Sequence, residues 1–198
     1  MKKILILFSH PKFEKSRANS ALIERIKDKE GVTLHDLYER YPDFHIDVTA
    51  EKELLNQHDV IIWHHPLYWY SCPPLMKQWI DMVLEFNWAY GPEGNALQDK
   101  TCLNVITTGG SKEMYCSEGV NSFSVNQFLR PFEQTAKLCG MKYLPPFAVM
   151  GTHRLNDEDL EDYANQYSKL IVLLQDEISL KELKLATFLN DLPKLKTS

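Results

Sequence analysis

Four cysteines occur in the 198-residue chain, and no two of them form a C-x-x-C pair. Cys72, Cys102, Cys116 and Cys139 are spread too widely for a metal knuckle. Free thiols, with neither metal nor disulfide, are expected. Only eight glycines are present, and none falls in a G-x-x-x-x-G-K-[ST] or G-x-G-x-x-G pattern. A nucleoside triphosphatase or a Rossmann dehydrogenase is therefore poorly supported. No G-x-S-x-G elbow occurs, which argues against an α/β-hydrolase. There is no basic run, and the net charge is −5, so nucleic acid is not an expected partner. No apolar stretch approaches the length of a membrane span. The opening Met1-Lys2-Lys3 enters a strand-like run without a small-residue cleavage site. A cytoplasmic protein without direct membrane insertion is expected.

What is present is an ordinary apolar fraction, 44%, in a chain long enough for one good core. Ile4-Leu5-Ile6-Leu7-Phe8 is a continuous apolar run, as a parallel strand covered on both faces requires. Asn19 or Ser20 suits the cap of a first helix through Leu22, Ile23 and Ile26, and Gly31 suits its close. Val32 to Leu37 reads as a second strand. Tyr38 to Ile46 reads as an irregular aromatic loop, and Asp47 or Thr49 as the cap of a short helix. Val60-Ile61-Ile62-Trp63 is a third strand. Pro73 and Pro74 suit the first turn of the next helix, whose apolar face is Leu75, Trp79, Val83 and Phe86. Cys102 to Ile106 is a fourth strand, and a helix follows around Phe128 to Leu138, closed by Gly140. Tyr143 to Met150 is a fifth strand, placed at a sheet edge by Pro145 and Pro146. Asn156 opens a last helix, with Asp157, Glu158 and Asp159 at its positive end. After about Ser179 the chain is a mixed tail, in which Leu185, Phe188, Leu189 and Leu192 can pack on the body or on a partner.

Strands alternating with helices imply an α/β, doubly wound, five-stranded parallel sheet in three layers. Such sheets bind ligands beyond the carboxyl ends of their strands. Three loops converge there. The first, His10 to Asn19, offers Ser16, Asn19, Lys15, Arg17 and helix N–H groups, which suit a phosphate; the alternative is a solvated loop with a plain helix cap. His10 can donate to a phosphate or satisfy a backbone carbonyl. The second, Pro66 to Pro74, carries Tyr68, Trp69 and Tyr70 in a row. These rings either hold something flat or plug the top of the sheet. The third, Thr107-Thr108-Gly109-Gly110-Ser111, offers unencumbered N–H groups for the edge of a heterocycle, or is simply a glycine-rich turn. A response-regulator reading fails, because Ser9 and His10 stand where Mg²⁺ would need carboxylates.

At these residues the chain resembles the flavodoxin-like NAD(P)H:quinone oxidoreductases. Within them it is similar to the ancillary flavoprotein subunits of glutathione-regulated potassium-efflux systems. The resemblance rests on Ser9-His10-Pro11, Ser16-Arg17-Ala18-Asn19, Leu37-Tyr38 with Tyr41-Pro42-Asp43-Phe44, His65-Pro66-Leu67-Tyr68-Trp69-Tyr70-Ser71 and Pro73-Pro74-Leu75. It extends through Trp79-Ile80-Asp81, Trp88-Ala89-Tyr90-Gly91, Thr107-Thr108-Gly109-Gly110 and Leu144-Pro145-Pro146-Phe147. It implies strand order 2-1-3-4-5, a flavin-binding domain over residues 1–180 and a tail over 181–198.

It also implies FMN, with FAD as the other flavin, and NADPH or NADH as co-substrate. His10, Ser16, Arg17, Ala18 and Asn19 would hold the flavin phosphate and ribityl chain. Pro66, Leu67, Tyr68, Trp69 and Tyr70 would pack beside the ring, and Thr107, Thr108, Gly109 and Gly110 would bind its pyrimidine edge. NAD(P)H and then a quinone would use one slot in turn, by ping-pong hydride transfer. Tyr115 matches a tyrosine that helps stabilise the reduced flavin in mammalian quinone reductases. The histidine that those enzymes place six residues on is Asn121 here, which hydrogen-bonds but relays no proton near neutral pH. Catalytic roles fall by the resemblance on Tyr115, Asn121 and Gly109. A homodimer is implied, with Trp88, Tyr90 and the Tyr41 to Phe44 loop at its interface or covering their own core. The alternative function is a flavin-bound regulatory subunit docked on a potassium-efflux antiporter, with little turnover.

Overall fold

The protein was analysed as a computed structural model, which describes residues 1–176 and 180–196. The tail boundary expected near Ser179 lies outside the described residues. The frame is built by β1 (Ile4–Phe8), β2 (Val32–Asp36), β3 (Val60–Pro66), β4 (Thr101–Thr108), β5 (Lys142–Tyr143) and β6 (Phe147–Met150). All pairings are parallel, in the order β2-β1-β3-β4-β5, and β6 also pairs with β4. The single fifth strand expected from the sequence is thus two short pieces along one edge. Pro145 and Pro146 lack the N–H that would continue the ladder. Leu144 N still donates to Cys102 O, and pairing resumes at Phe147.

Eight helices accompany the sheet among the described residues: α1 (Arg17–Ile26), α2 (Leu37–Arg40), α3 (Val48–Asn56), α4 (Pro74–Val83), α5 (Val125–Phe128), α6 (Arg130–Leu138), α7 (Asp157–Gln175) and α8 (Leu180–Leu183). Side-chain alternation in the strands explains their unbroken apolar runs. Leu5, Leu7, Ile61 and Trp63 face a core shared with Leu75, Met76, Trp79 and Phe132 of α4 and α6. Ile4, Ile6, Phe8 and Ile62 face the opposite core, with Leu22, Ile23 and Ile26 of α1 and Tyr167, Leu170 and Leu174 of α7. With helices on both faces, every position of β1, β3 and β4 is buried, whereas β2 at the edge is only half-buried.

Two caps differ from the sequence reading. Ser16, not Asn19 or Ser20, caps α1, its extended backbone letting Oγ accept from Asn19 N. Gly31 does not close α1, which ends at Ile26. It sits at φ 72° in the turn into β2, where an added Cβ would lie 2.9 Å from Gln175 Nε2. Of the two candidates Asp47 and Thr49, Asp47 caps α3, and Asn156 caps α7, as the sequence indicates.

The aromatic stretch after β2 is pinned by one buried carboxylate. Glu51 on α3 accepts from His35 Nε2 (2.8 Å), Tyr41 OH (2.5 Å) and Trp79 Nε1 (2.7 Å). Tyr41 is buried, and Phe44, Trp88 and Tyr90 lie partly buried on the same core. The tail packs back on the body: Phe188 joins one core, and Leu183, Leu189 and Leu195 join the other. Asn190 Oδ1 accepts from Ala148 N on β6 (2.7 Å), and Leu189 N donates to Pro146 O. A side chain and a backbone donor thereby cover a sheet edge that would otherwise be open. Leu192 packs partly buried against the core, whereas Leu185 is 88% exposed.

Two outcomes follow for stability. Burial raises the Glu51 carboxyl, but the donors from His35, Tyr41 and Trp79 outweigh it and hold the group below the ordinary 4.5. Between its folded and unfolded values the unfolded chain binds more protons, so this contribution is complete above the ordinary value. It is lost as pH falls from there through the folded value. Glu51→Gln should cost about 1–3 kcal/mol at neutral pH and make the acid side of a stability-versus-pH curve shallower. A second test compares denaturant melts. Asn190→Ala should lose about 1 kcal/mol by orphaning the Ala148 N–H, whereas Leu185→Ala should stay within about 0.5 kcal/mol of the parent.

Candidate flavin site

At the carboxyl ends of β1, β3, β4 and β6 lies a cleft of about 390 Å³. Its lining includes His10, Ser16, Arg17, Ala18, Pro66, Leu67, Tyr68, Thr107, Thr108 and Gly109 from the three loops singled out above. Lys12 and Lys15 add positive charge, and no carboxylate lines it. The chain as a whole is acidic, so this local balance marks the cleft as receptive to an anion. The start of the ten-residue α1 opens onto it, with backbone N–H groups in its first turn.

Beneath the lining sits Asn19, 1% exposed. Its Nδ2 donates to Ser16 Oγ (2.8 Å) and to Thr107 Oγ1 (3.0 Å), tying the first loop to the third. Its Oδ1 meets His64 Nε2 at 3.0 Å. His64 and His65 are both fully buried, and burial drives their pKa values down to about 3 and about 4. Both rings are neutral at physiological pH. His65 is satisfied on both nitrogens, by Pro66 O and by Asn104, which in turn accepts from Tyr143 OH. His10 does not satisfy a carbonyl: its Nδ1 accepts from Lys12 N (3.1 Å), which leaves Nε2 to carry the proton. Burial also lowers its pKa. The Arg17 guanidinium is drawn aside, to Asp157 (2.6 Å) and Leu155 O. Both partners of that pair are largely exposed, so it contributes little stability.

The second loop is a tight turn. Tyr68 and Ser71 exchange backbone hydrogen bonds, with Trp69 at φ 47° and Tyr70 at φ 65° between them. Two consecutive positive φ values belong to a type I′ turn, which favours Asn and Gly. Here two aromatics occupy it. Trp69 is 92% exposed and Tyr70 is 47% exposed, so neither plugs the sheet. Tyr70 stacks on Phe128 at 4.8 Å, and Tyr115 and Phe123 meet the same ring edge-on. Tyr115 OH bonds to Thr108 Oγ1 (2.7 Å), which places its ring against Gly110.

Trp69, Tyr70, Gly110, Tyr115 and Asn121 therefore lie outside the cleft wall itself. Tyr115 and Gly110 adjoin it through Thr108. Asn121 is held in the following loop by its own N–H to Met114 O. Thr152 and His153 do line the cleft, and sequence reasoning missed them. The signal was available: they follow the last strand at the same rim, so the rule that selected three loops selects a fourth. Gly109 also has a steric role, since a Cβ there would come within 2.7 Å of His153 Nε2.

A parallel three-layer sheet in this strand order, with an anion-receptive cleft at its carboxyl rim, defines a protein of flavodoxin-like fold. A family model described as flavodoxin-like fold matches residues 2–171, and the chain belongs to that family. It is 42% identical over 165 residues to the glutathione-regulated potassium-efflux system ancillary protein KefG of Erwinia tasmaniensis, covering 83% of this chain and 90% of the relative. Among solved structures it resembles general stress protein 14 from Treponema denticola in complex with FMN. That match has TM-score 0.82 and 38% identity, over 87% of this chain and 99% of the other. A protein from P. pentosaceus described as an NADPH-quinone reductase matches at TM-score 0.79 and 30% identity, over 89% and 99%. Among the described residues, no helix is long and apolar enough to cross a membrane.

The turn yields its own test. Each left-handed aromatic costs about 1 kcal/mol of backbone strain, and the Trp69 ring returns almost no burial. Trp69→Asn should therefore raise stability by about that amount in a thermal or denaturant melt. A fall in stability would show that the ring packs more than its exposure indicates.

Proposed function

We propose that the cleft binds FMN and that the protein is an NAD(P)H-dependent oxidoreductase whose acceptor is a quinone-type small molecule. The observation that carries this reading is the cleft's chemistry. Hydroxyls of Ser16 and Thr107, the start of α1 and the cations Lys12 and Lys15 face one cavity that holds no carboxylate. Beside them the apolar Pro66, Leu67 and Tyr68 supply a wall. A ligand with a dianionic phosphate at one end and a flat heterocycle at the other suits both halves, and the volume falls in the range of cofactor sites. The relatives with FMN bound or an NADPH-quinone reductase name add support.

When bound, FMN supplies two-electron hydride chemistry between a nicotinamide and a quinone, used in turn at one slot. The chain's own part is placement. Ser16, Ala18 and His10 hold the phosphate end, with Asn19 supporting Ser16 from beneath, and Arg17 stands at its rim. Thr108, Gly109 and Gly110, at the end of β4 and just after it, face the ring's polar side, whereas the Thr107 hydroxyl, tied to Asn19, faces the phosphate end. Tyr68, Trp69 and Tyr70 form the lip of the slot. Tyr115, fixed by Thr108, stands where its hydroxyl can support charge on the ring. Residues 1–180 would form the flavin-binding unit, with 181–198 as its tail. In a homodimer Trp88, Tyr90 and Phe44, partly buried on their own core, would meet a second copy through the faces left open. The KefG relative favours a second role, docking on a potassium-efflux antiporter, compatible with the same bound flavin.

Purified protein should be yellow or become so with FMN, release a flavin of FMN mass, and oxidise NADPH when a quinone is added. Protein that stays colourless after addition of either FMN or FAD would refute the reading. Trp69→Ala should weaken flavin binding or slow its reduction; a change in melting temperature alone would remove that ring from the site. Copurification with an antiporter alongside weak quinone reduction would favour the regulatory role.

A further inference from the structure

His64 is a buried polar group that the proposed reaction does not use. It stands on β3, 0% exposed, edge-on to Phe8 (5.2 Å) and Tyr167 (5.5 Å). Its Nε2 meets Asn19 Oδ1, and its Nδ1 has no hydrogen-bond partner among the described residues. The two ring nitrogens of a neutral imidazole are one donor and one acceptor. Buried N–H groups without a partner are rarer than under-used acceptors. The proton therefore belongs on Nε2, where it donates to Asn19 Oδ1, and Nδ1 is the bare acceptor.

That single assignment orients everything above it. With Oδ1 occupied by His64, the Asn19 amide must present its two N–H groups on the other side, to Ser16 Oγ at 2.8 Å and Thr107 Oγ1 at 3.0 Å. Ser16 Oγ accepts a further bond from Asn19 N at 3.3 Å. Both hydroxyl oxygens are then receiving from beneath, and each has its own proton left to give. Both residues line the cleft. A reversed amide would do the opposite, drawing the two hydroxyl protons down to Asn19 and turning lone pairs toward the cleft.

We propose that His64 is a positioning residue that, through Asn19, aims the hydroxyl protons of Ser16 and Thr107 into the cleft as donors to the anionic group of its ligand. This rests on the FMN reading above and adds a cause for the cleft's preference for an anion over a neutral alcohol. A buried imidazole suits the task because burial keeps it neutral, so the donor and acceptor ends do not exchange with pH in the working range.

The test has two arms. In ¹⁵N NMR of ring-labelled protein without flavin, His64 should show a protonated Nε2 and an unprotonated Nδ1; the reverse tautomer overturns the proposal whatever the protein binds. The second arm compares FMN with riboflavin, which lacks the phosphate, by fluorescence titration. His64→Phe removes the donor and keeps a flat ring; it should weaken FMN by about tenfold, the size of one misdirected hydrogen bond to a charged group, and leave riboflavin within about twofold. His64→Gln, which retains an amide donor, should recover much of the loss. Equal weakening of both ligands, or unchanged FMN binding in a folded His64→Phe protein, overturns the proposal. Should His64→Phe fail to fold, His64→Gln and the tautomer measurement carry the test. Failure of the parent protein to bind FMN would instead count against the functional reading, leaving the tautomer result to stand by itself.

Discussion

Burial of the central strands on both faces is the constraint from which the rest of the molecule follows. β1, the first four residues of β3, and Cys102, Leu103, Val105 and Ile106 of β4 spend their side chains on one of two cores. Helix crossovers must then return the chain over alternate faces, and all strands run the same way. The polar, chemically useful residues are left to the loops, and parallel strands deliver half of those loops to one rim. The cleft sits there because four such loops meet at that rim. Where β3 and β4 end at that rim, their buried positions turn polar: His64, His65, Thr107 and Thr108. These groups are inside the protein, yet they serve the rim.

Buried polarity elsewhere obeys the same rule of convergence. Glu51 is tolerated under the aromatic loop because three donors from three elements meet it, and an unpaired carboxylate would not survive there. The network joins β2, α3 and α4 at one point and fixes the path of Tyr41 to Phe44. On the far side, the tail solves a different problem. Two prolines break the last strand, and a short edge is left beside them. Asn190 and Leu189 supply the pairing that a further strand would have given.

The rim is also where local rules are broken. Trp69 and Tyr70 adopt a conformation that suits glycine or asparagine, and they do so with rings facing outward. Gly109 and Gly110 keep space for His153 and Tyr115 instead of satisfying a turn. Strain and close approach of this kind persist only where the surroundings over-determine them. Here the surroundings are the two hydrogen bonds of the Tyr68–Ser71 turn and the Tyr70 stack on Phe128. Left-handed residues occur elsewhere too, at Phe44, Asn87, Asp99 and Ser122, but two in succession stand only at Trp69 and Tyr70 among the described residues.

Residue patterns were enough for the sheet class, the alternation of strands with helices, the cap at Asn156, and three of the loops that meet at the cleft. Those features are short-range: apolar runs, capping chemistry and proline placement act within a few residues. The sequence misjudged the start of α1, because Ser16, Asn19 and Ser20 are all competent caps and only the extended backbone at Ser16 selects one. It joined β5 and β6, left open whether Trp69 was a plug, and passed over Thr152 and His153. Only after folding do His64 beneath Asn19 and Glu51 beneath Tyr41 come into view. Each rests on residues ten or more positions apart that meet once the sheet has closed, and no local pattern records which donor will find which acceptor.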